Sequence, residues 1–556
     1  MELCYIWVEE FKSLKNFELN FSSNSTYHYQ PTKNTLAHRK KEYLPEDFFG
    51  TDIYSVLGIF GQNSSGKTNC LELICTILQN GRSKIKGDFL VITKSGDEHY
   101  AYYKFSDEKI ITKVKSNFYV NKQIYKNKIN GIKGVFFSNV FDGKKFNFGN
   151  DISDLSLSKR KLDNFKEQYE FINDYGYNSK SIEIPNALEV ELLKVKRISK
   201  NNKFKDIDIT LVHKNQLRIE RQILKLDYIK RLENHIMYHL TFDTLRLIKK
   251  NSERCIANVL DILEKKLDIE VKLLELSQVI LNHLEDEIFY STFELNNYES
   301  RDTARKEDNS IKILLEREAK LIELSDRTKH GSSLLKYTKF NPLSNEISDA
   351  GFMEILISDI RDKNVYDLLS FSDFGSIGIR WKGISSGHKA FLNLYASIYN
   401  EIKYTKRTTL ICIDEGDLYF HPKWQISFFS ELLSIISKFN SDKVQIVITS
   451  HSPFILTEIP NQNVMLLENN CGITTIRDSD FKTFGSELYG LYSNGFFLDD
   501  VKVGNFSQEK ITGLINRLSQ SDYVLSIEDK QLIEIIGNDL LQIQIARILK
   551  GRITND

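Results

Sequence analysis

Tyr54-Ser-Val-Leu-Gly-Ile-Phe60, Gly61-Gln-Asn-Ser-Ser-Gly-Lys-Thr68 and Asn69-Cys-Leu-Glu-Leu73 are consecutive and differ in character. An apolar run of strand type ends at Phe60, a glycine-bounded loop spans Gly61 to Gly66, and a helical pattern opens at Lys67. This is the setting a phosphate-binding P-loop requires. Gly61 and Gly66 permit backbone conformations that a side chain would block, so the N–H groups of Asn63, Ser64 and Ser65 between them can turn inward on phosphate oxygens. The helix start at Lys67, Thr68 and Asn69 adds partial positive charge. Lys67 is expected to reach the β- and γ-phosphates and the Thr68 hydroxyl to ligate magnesium, which makes ATP and Mg2+ the expected ligands.

At 556 residues the chain is too long for one compact core, and two or three domains are expected. Lys plus Arg equals Asp plus Glu at 75 each, so no global charge argues for a nucleic-acid partner, although a local patch can hide in a neutral total. Cys4, Cys70, Cys75, Cys255, Cys412 and Cys471 contain no CxxC pair, which predicts reduced thiols with neither a disulfide framework nor a zinc site. The first ten residues lack a basic segment followed by a long apolar one, and no apolar run approaches the roughly 18 to 20 residues a bilayer demands. A soluble, cytoplasmic protein with no membrane partner is expected.

Outward from the P-loop, Leu3 to Phe21 alternate with aromatics and suggest two short strands around Ser13 to Lys15, with Tyr5 or Trp7 placed to stack on a base or simply to pack. Ser22 to Thr51 is polar and reads as a surface loop. Phe89–Ile92, Tyr100–Phe105, Ile110–Val114 and Asn117–Val120 read as strands of a β-rich lobe ending near Ser138 and Asn139. No glycine lies between Gly176 and Gly331 and no proline between Pro185 and Pro342. Apolar residues there fall at helical spacing (Ile219, Ile223, Leu226, Ile229; Ile256, Leu260, Leu263, Leu267; Leu314, Ala319, Ile322), without a sustained heptad register. The expected division is residues 1–150 as one half of an α/β head, 151–340 as a mostly helical insert, 341–475 as the second half, and 476–556 as a helical tail. Lys194, Lys196, Arg197, Lys200, Lys203 and Lys205 form a basic strip, either a solvated face or a contact to DNA or RNA phosphates.

Thr408-Thr-Leu-Ile-Cys-Ile413 is a β-branched apolar run closed by Asp414-Glu-Gly-Asp417. A buried strand ending in an acidic pair is the Walker B pattern: Asp414 would hold the magnesium and its water shell, and Glu415 would act as general base on the attacking water. Val444 to Thr449 is another strand, with His451 just beyond its tip. Between the halves, Ile384-Ser-Ser-Gly-His-Lys389 leads into a helical pattern, placing Ser385, Ser386, Gly387 and His388 at a helix N-terminus.

The order P-loop, long insert, Ser-Ser-Gly-His segment, Walker B, His451 resembles the ABC-type ATPase heads of the SMC, RecF and OLD-like branch. Ser385 to His388 match the signature of those heads with departures at Ile384, Ser386 and His388, and His451 matches their switch histidine. Asp414-Glu-Gly-Asp-Leu-Tyr-Phe-His-Pro422 and Thr449-Ser-His-Ser-Pro453 are similar to the OLD-like subgroup. Thr483 to Leu498 is similar to a segment of ATPase subunits from prokaryotic defence islands, such as the PtuA subunit of Septu and retron systems. The resemblance implies a mixed-sheet head interrupted by the insert, with Ser138 and Asn139 at a Q-loop position that lacks its glutamine. It also implies a homodimer, because such heads pair so that the signature of one completes the P-loop site of the other, and this chain has one of each.

The resemblance further implies an anti-phage ATPase that controls a separate nuclease or toxin subunit. Its rival is a RecF- or SMC-like ATPase that clamps DNA. An in-cis nuclease of the OLD kind would need a glutamate and a later Asp-x-Asp. Glu468 and Asp478-Ser-Asp480 have that spacing, but the remaining tail is too short for the βα units involved. A transporter head is disfavoured by the absence of a membrane segment.

Overall fold

The computed structural model describes residues 1–41, 44–45, 47–140, 146–156, 164–176, 183–195, 209–248, 252–295, 301–330, 352–356, 363–439, 443–477, 481–488, 490–491, 504–520, 523–537 and 539–553. Their strands, in chain order, are β1 (Glu2–Phe11), β2 (Leu14–Asn20), β3 (Ser25–Gln30), β4 (Thr35–Lys40), β5 (Ile53–Gly61) and β6 (Phe89–Ser95). Next come β7 (Glu98–Lys104), β8 (Lys115–Ser116), β9 (Asn121–Ile124), β10 (Ile132–Ser138), β11 (Ile152–Asp154) and β12 (Ala187–Leu192). The last six are β13 (Phe352–Leu356), β14 (Ile377–Trp381), β15 (Thr408–Asp414), β16 (Val444–Thr449), β17 (Val464–Asn470) and β18 (Ile473–Arg477). Twelve of them form one sheet in the order β11-β10-β15-β16-β5-β17-β18-β2-β1-β6-β7-β9.

From β11 to β17 every pairing in that sheet is parallel. Parallel strands covered on both faces read as continuous apolar runs, and β15 and β16 are buried at every position. The period of two then divides their side chains between layers. Leu410 and Cys412 meet Cys70, Leu71 and Ile74 of helix Lys67–Leu78 on one face. Ile411 and Ile413 join Phe391 and Leu394 of helix Ser386–Ile402 and Phe428 and Leu432 of helix Pro422–Phe439 on the other. The mixed α/β architecture with its largely parallel central sheet fits a P-loop ATPase.

The β1–β2 hairpin forms as expected, with Lys12 at a positive φ of 56° in its turn. Tyr5 and Trp7 point into an aromatic layer. Trp7 lies 4.9 Å from the Tyr29 ring and donates to Asn16 Oδ1 at 2.9 Å, so these rings serve packing rather than base stacking. The polar stretch from Ser22 to Thr51 contains the hairpin β3–β4, whose Tyr27 and Tyr29 are buried in that layer. Ile110 to Lys113 is a helical turn, not a strand: Ile111 drops into the same core, and the β-branched residues there follow that burial rather than a sheet. The strand expected at Asn117 begins instead at Asn121.

Between residues 209 and 329 the described residues form five helices: Ile209–Ile223, Tyr228–Leu245, Ser252–Glu264, Ile269–Leu295 and Arg301–Lys329. Ile219, Ile223, Ile256, Leu263 and Leu314 are buried as their spacing predicts, but Ala319 and Ile322 are exposed, and Leu321 and Leu324 continue the buried stripe instead. Segments between 152 and 192 attach to the head, since β11 extends the main sheet and β12 joins β13 and β14 in a second sheet. Helix Phe165–Asp174 packs there too: its Phe165 lies 4.6 Å from Trp381, while Asp174 accepts hydrogen bonds from Tyr399 and Lys403.

Gln445 joins the chain start to the central sheet. Its Oε1 accepts from Leu3 N–H at 2.7 Å, and its Nε2 donates to the Leu3 carbonyl at 2.9 Å and to Ser55 Oγ at 3.0 Å. These bonds fall where the β1–β6 register shifts between Leu3 and Tyr5. Gln445→Leu therefore leaves two buried backbone groups unpaired, and chemical denaturation should show a loss of about 2–4 kcal/mol with an unchanged m-value.

Candidate nucleotide site

Because β10, β15, β16 and β5 run parallel, their carboxyl ends share one edge of the sheet, the usual place for a ligand in an α/β fold. The register aligns Ser138 with Asp414, Asp414 with Thr449, and Thr449 with Ile59, two residues before Gly61.

The loop from Gly61 to Gly66 is held by the β17–β18 hairpin. Gly61 has φ 151°, and a Cβ there would lie 2.2 Å from the Leu467 carbonyl oxygen; Gly66 has φ 102°, and its Cβ would lie 2.2 Å from Thr474 Oγ1. Asn469 Nδ2 donates to the Ser64 carbonyl at 2.8 Å. Asn69 Nδ2 donates to Ser13 Oγ, which is 2.8 Å from Thr474 Oγ1. Asn63 and Ser64 are exposed, whereas Ser65 is buried with its Oγ lacking a partner among the described residues. Lys67 Nζ turns back onto the Gly61 and Gln62 carbonyls at 3.1 and 3.0 Å.

Asp414 is buried between two hydroxyls. Thr68 Oγ1 donates to its carboxylate at 3.1–3.2 Å and Thr449 Oγ1 at 2.8 Å. Burial pushes its pKa up, while the Thr449 and Thr68 bonds and the Lys67 charge pull it down. Lys67 is itself pushed down by burial against the opposing pull of Glu415 and Asp414. A buried carboxylate held by a threonine beside a glycine-bounded cradle, with the Ser65 hydroxyl unpartnered, fits a phosphate-bound divalent cation.

Glu415 sits at φ 48°, which turns its side chain out of the strand line. Its N–H donates to the carbonyl and to Oγ1 of Thr449, both at 3.1 Å. His451 Nε2 lies 3.4 Å from Glu415 Oε1, and this contact is the leading reason the Glu415 carboxyl is held below its ordinary range. Asp417, behind them, receives a hydrogen bond from Ser450 Oγ at 3.0 Å. Asn139 braces the same turn, donating through N–H to the Asp414 carbonyl at 3.4 Å and through Nδ2 to the Gly416 carbonyl at 2.8 Å.

Ser385 to His388 divide into two pairs. Ser385 and Ser386 are exposed at the start of helix Ser386–Ile402, where Ser385 Oγ caps the His388 N–H at 3.1 Å. Gly387 and His388 are buried: a Cβ on Gly387 would lie 2.7 Å from the Tyr419 carbonyl, and the His388 ring packs 5.6 Å from Trp424. Among the described residues no hydrogen bond or ion pair links these four to the P-loop of the same chain.

Of the basic strip only Lys194 is described, and Asp478 and Asp480 also lie outside the described residues. Glu468 lies 3.6 Å from Arg477. Among the described residues no group of three His, Cys, Asp or Glu is placed to hold a metal, all six cysteines are free thiols, and no helix is long and apolar enough to cross a membrane.

Thr449 carried no sequence signal beyond its place at the end of a strand, yet it orients both acids. Thr449→Val keeps the side-chain shape and removes both hydroxyl contacts. ATP turnover should fall about ten- to hundredfold, with Thr449→Ser near the parent rate, in a steady-state assay that also reports nucleotide affinity. Asp417, buried, has its pKa raised to about 6. The folded state therefore holds this proton above the pKa of the unfolded chain, and the stability it contributes is full below about pH 4 and lost as pH rises through about 6. Melting temperatures of Asp417→Asn and the parent should diverge in the variant's favour across that window.

Residues 1–456 match the family model described as AAA ATPase domain. The chain is also 25% identical over 169 residues to the Retron Ec83 probable ATPase of Escherichia coli, a stretch covering 29% of this chain and 28% of that protein. The family match spans the P-loop, the Walker B acids and His451 together. The chain belongs to the AAA ATPase domain family.

Proposed function

We propose that this chain is an ABC-type, magnesium-dependent ATPase that dimerises head to tail around ATP and thereby controls a separate effector protein, a nuclease or toxin, in antiviral defence. The observation that carries the ATPase reading is the meeting of Lys67, Thr68, Asp414, Glu415 and His451 at one sheet edge. Lys67 exchanges its two loop carbonyls for the β- and γ-phosphates, and the exposed amides of the loop complete the cradle. Magnesium, when bound by Thr68 and Asp414, offsets phosphate charge. Glu415 accepts a proton from water as the water oxygen bonds to the γ-phosphorus and the bridging bond to the β-phosphate breaks, releasing ADP and phosphate. His451, whose contact holds the Glu415 carboxyl below its ordinary range, keeps it in position, and the carboxylate gains basicity when the γ-phosphate draws His451 away.

Dimerisation is supported by the exposed pair Ser385 and Ser386, which have no nucleotide-site partner among the described residues and sit at a helix N-terminus suited to phosphate. Control of an effector is supported by the likeness to a protein named as a retron ATPase and by the sequence resemblance to defence-island ATPases.

Native mass spectrometry of Glu415→Gln, produced with its neighbouring genes, tests both halves. ATP should yield a dimer that retains nucleotide and carries a second protein; a monomer with ATP present overturns the composite site, and a bare dimer overturns effector control. A mixing experiment separates cis from trans. Lys67→Ala and Ser386→Arg proteins, each inactive alone, should regain up to about a quarter of parental turnover when mixed, since one heterodimer site is intact.

A further inference from the structure

The far end of the P-loop helix opens onto a second feature. Between Glu108 and Asp142 the sequence has seven lysines and no acid, in a chain whose total charge is zero. Two of the seven have carboxylate partners: Lys133 reaches Glu401 at 2.7 Å and Lys128 reaches Asp151 at 3.3 Å. No ion pair among the described residues engages Lys109, Lys113, Lys115, Lys122 or Lys126, all of them exposed. Lys126 and Lys128 line a groove of about 640 Å³ beside β9, the last strand of the twelve-stranded sheet.

The groove is built rather than incidental. One wall is the end of helix Lys67–Leu78, the other the β9–β10 connection, and they are bonded together. Tyr125 Oη donates to the Ile77 carbonyl at 2.5 Å, Ile129 N–H to the Leu78 carbonyl at 3.2 Å, and Asn80 N–H to the Asn127 carbonyl at 2.9 Å. The first two bonds occupy carbonyls of the helix's last turn, which would otherwise present negative charge to an anion. Amide side chains of Gln79, Asn80, Gln123, Asn127 and Asn130 line it, and half-buried Tyr102 supplies an aromatic ring. Tyr119, two residues before β9, is 79% exposed.

Lysines suit phosphates: Lys126 has no ion pair among the described residues, and Lys128 would trade its surface pairing with Asp151, which also lines the groove, for a phosphate. Amides suit the edges of unpaired bases, and tyrosine rings suit base stacking. A concave groove with no protruding helix or ribbon does not suit a duplex major groove. We propose that this groove binds single-stranded nucleic acid, with Lys126 and Lys128 on the backbone and the amides and Tyr102 on the bases. The site is separate from the nucleotide site and does not depend on the effector reading.

Fluorescence anisotropy of the full chain with labelled oligothymidylate and oligouridylate of about 20 nucleotides, at about 50 and about 200 mM salt, tests it. The parent should bind at least one of the two in preference to a duplex of equal length, and the pair identifies DNA or RNA as the source. Lys126→Glu with Lys128→Glu should weaken binding at least about tenfold and flatten the salt dependence by one to two units of log-log slope, with ATP turnover in the absence of nucleic acid unchanged. Tyr102→Ala, which alters no charge, should weaken binding with the salt slope intact. Unchanged affinity in the lysine variant, preference for duplex, or binding to anionic phospholipid vesicles but to neither oligonucleotide overturns the proposal.

Discussion

The Asp414 carboxylate, buried at the tip of β15 and held by hydroxyls from Thr68 and Thr449, is the constraint around which the head is assembled. Burying a carboxylate is costly unless it is hydrogen-bonded or balanced by a cation. Both hydroxyls reach it only because β15 lies beside β16 in parallel register and β5 lies beside β16, delivering Thr68 from the far side. A one-residue slip in either pairing would carry Thr449 to the opposite face of the sheet. The register of three strands and the chemistry of one acid therefore fix each other.

The adjacent acid behaves in the opposite way. Burial raises Asp414, while the contact with His451 lowers Glu415, although the two residues are neighbours in sequence. The left-handed backbone at Glu415 makes this possible by turning its side chain away from the strand axis and out of the hydroxyl cage. Environments that push two carboxyls apart assign them different tasks: the buried acid needs a cation beside it to stay ionised, while the other is kept ionised by His451. Lys67 feels both charges, and burial alone would favour its neutral form. The cradle is thus a set of mutually restraining charges, suited to an anion and a cation together.

What the sequence disclosed follows from how local each signal is. The P-loop, the Walker B strand and the capped start at Ser385 are contiguous stretches whose chemistry and backbone demands lie within a few residues of each other. Ser13 lies 56 residues before Asn69, which it contacts, and Asn469 and Thr474 lie about 400 residues beyond the P-loop, so no local pattern marks them. The β3–β4 hairpin reads as loop because only Tyr27, Tyr29 and Leu36 of its residues are buried, and its neighbours are polar. In helix Arg301–Lys329 the adjacent pair Leu321 and Ile322 satisfies helical spacing in either of two phases, and only packing against helix Ile269–Leu295 selects Leu321. Gly387 and His388 look like surface contacts in a motif, yet Tyr419 and Trp424 close over them.

Helix Lys67–Leu78 links the two ends of the head mechanically. Nine of its twelve residues are buried, and neither glycine nor proline interrupts it between Lys67 and Gln79. Its first turn is clamped to the P-loop and Asp414, and its last-turn carbonyls are bonded to the β9–β10 connection. An element of about 18 Å with both ends fixed and no hinge transmits displacement without absorbing it. Movement of the P-loop relative to the sheet would carry the Gln79 and Asn80 wall of the groove with it, while the lysine wall stays with β9. Coupling between the two sites would then be set by whichever hydrogen bonds across the groove break first, of which Asn80 to Asn127 joins wall to wall most directly.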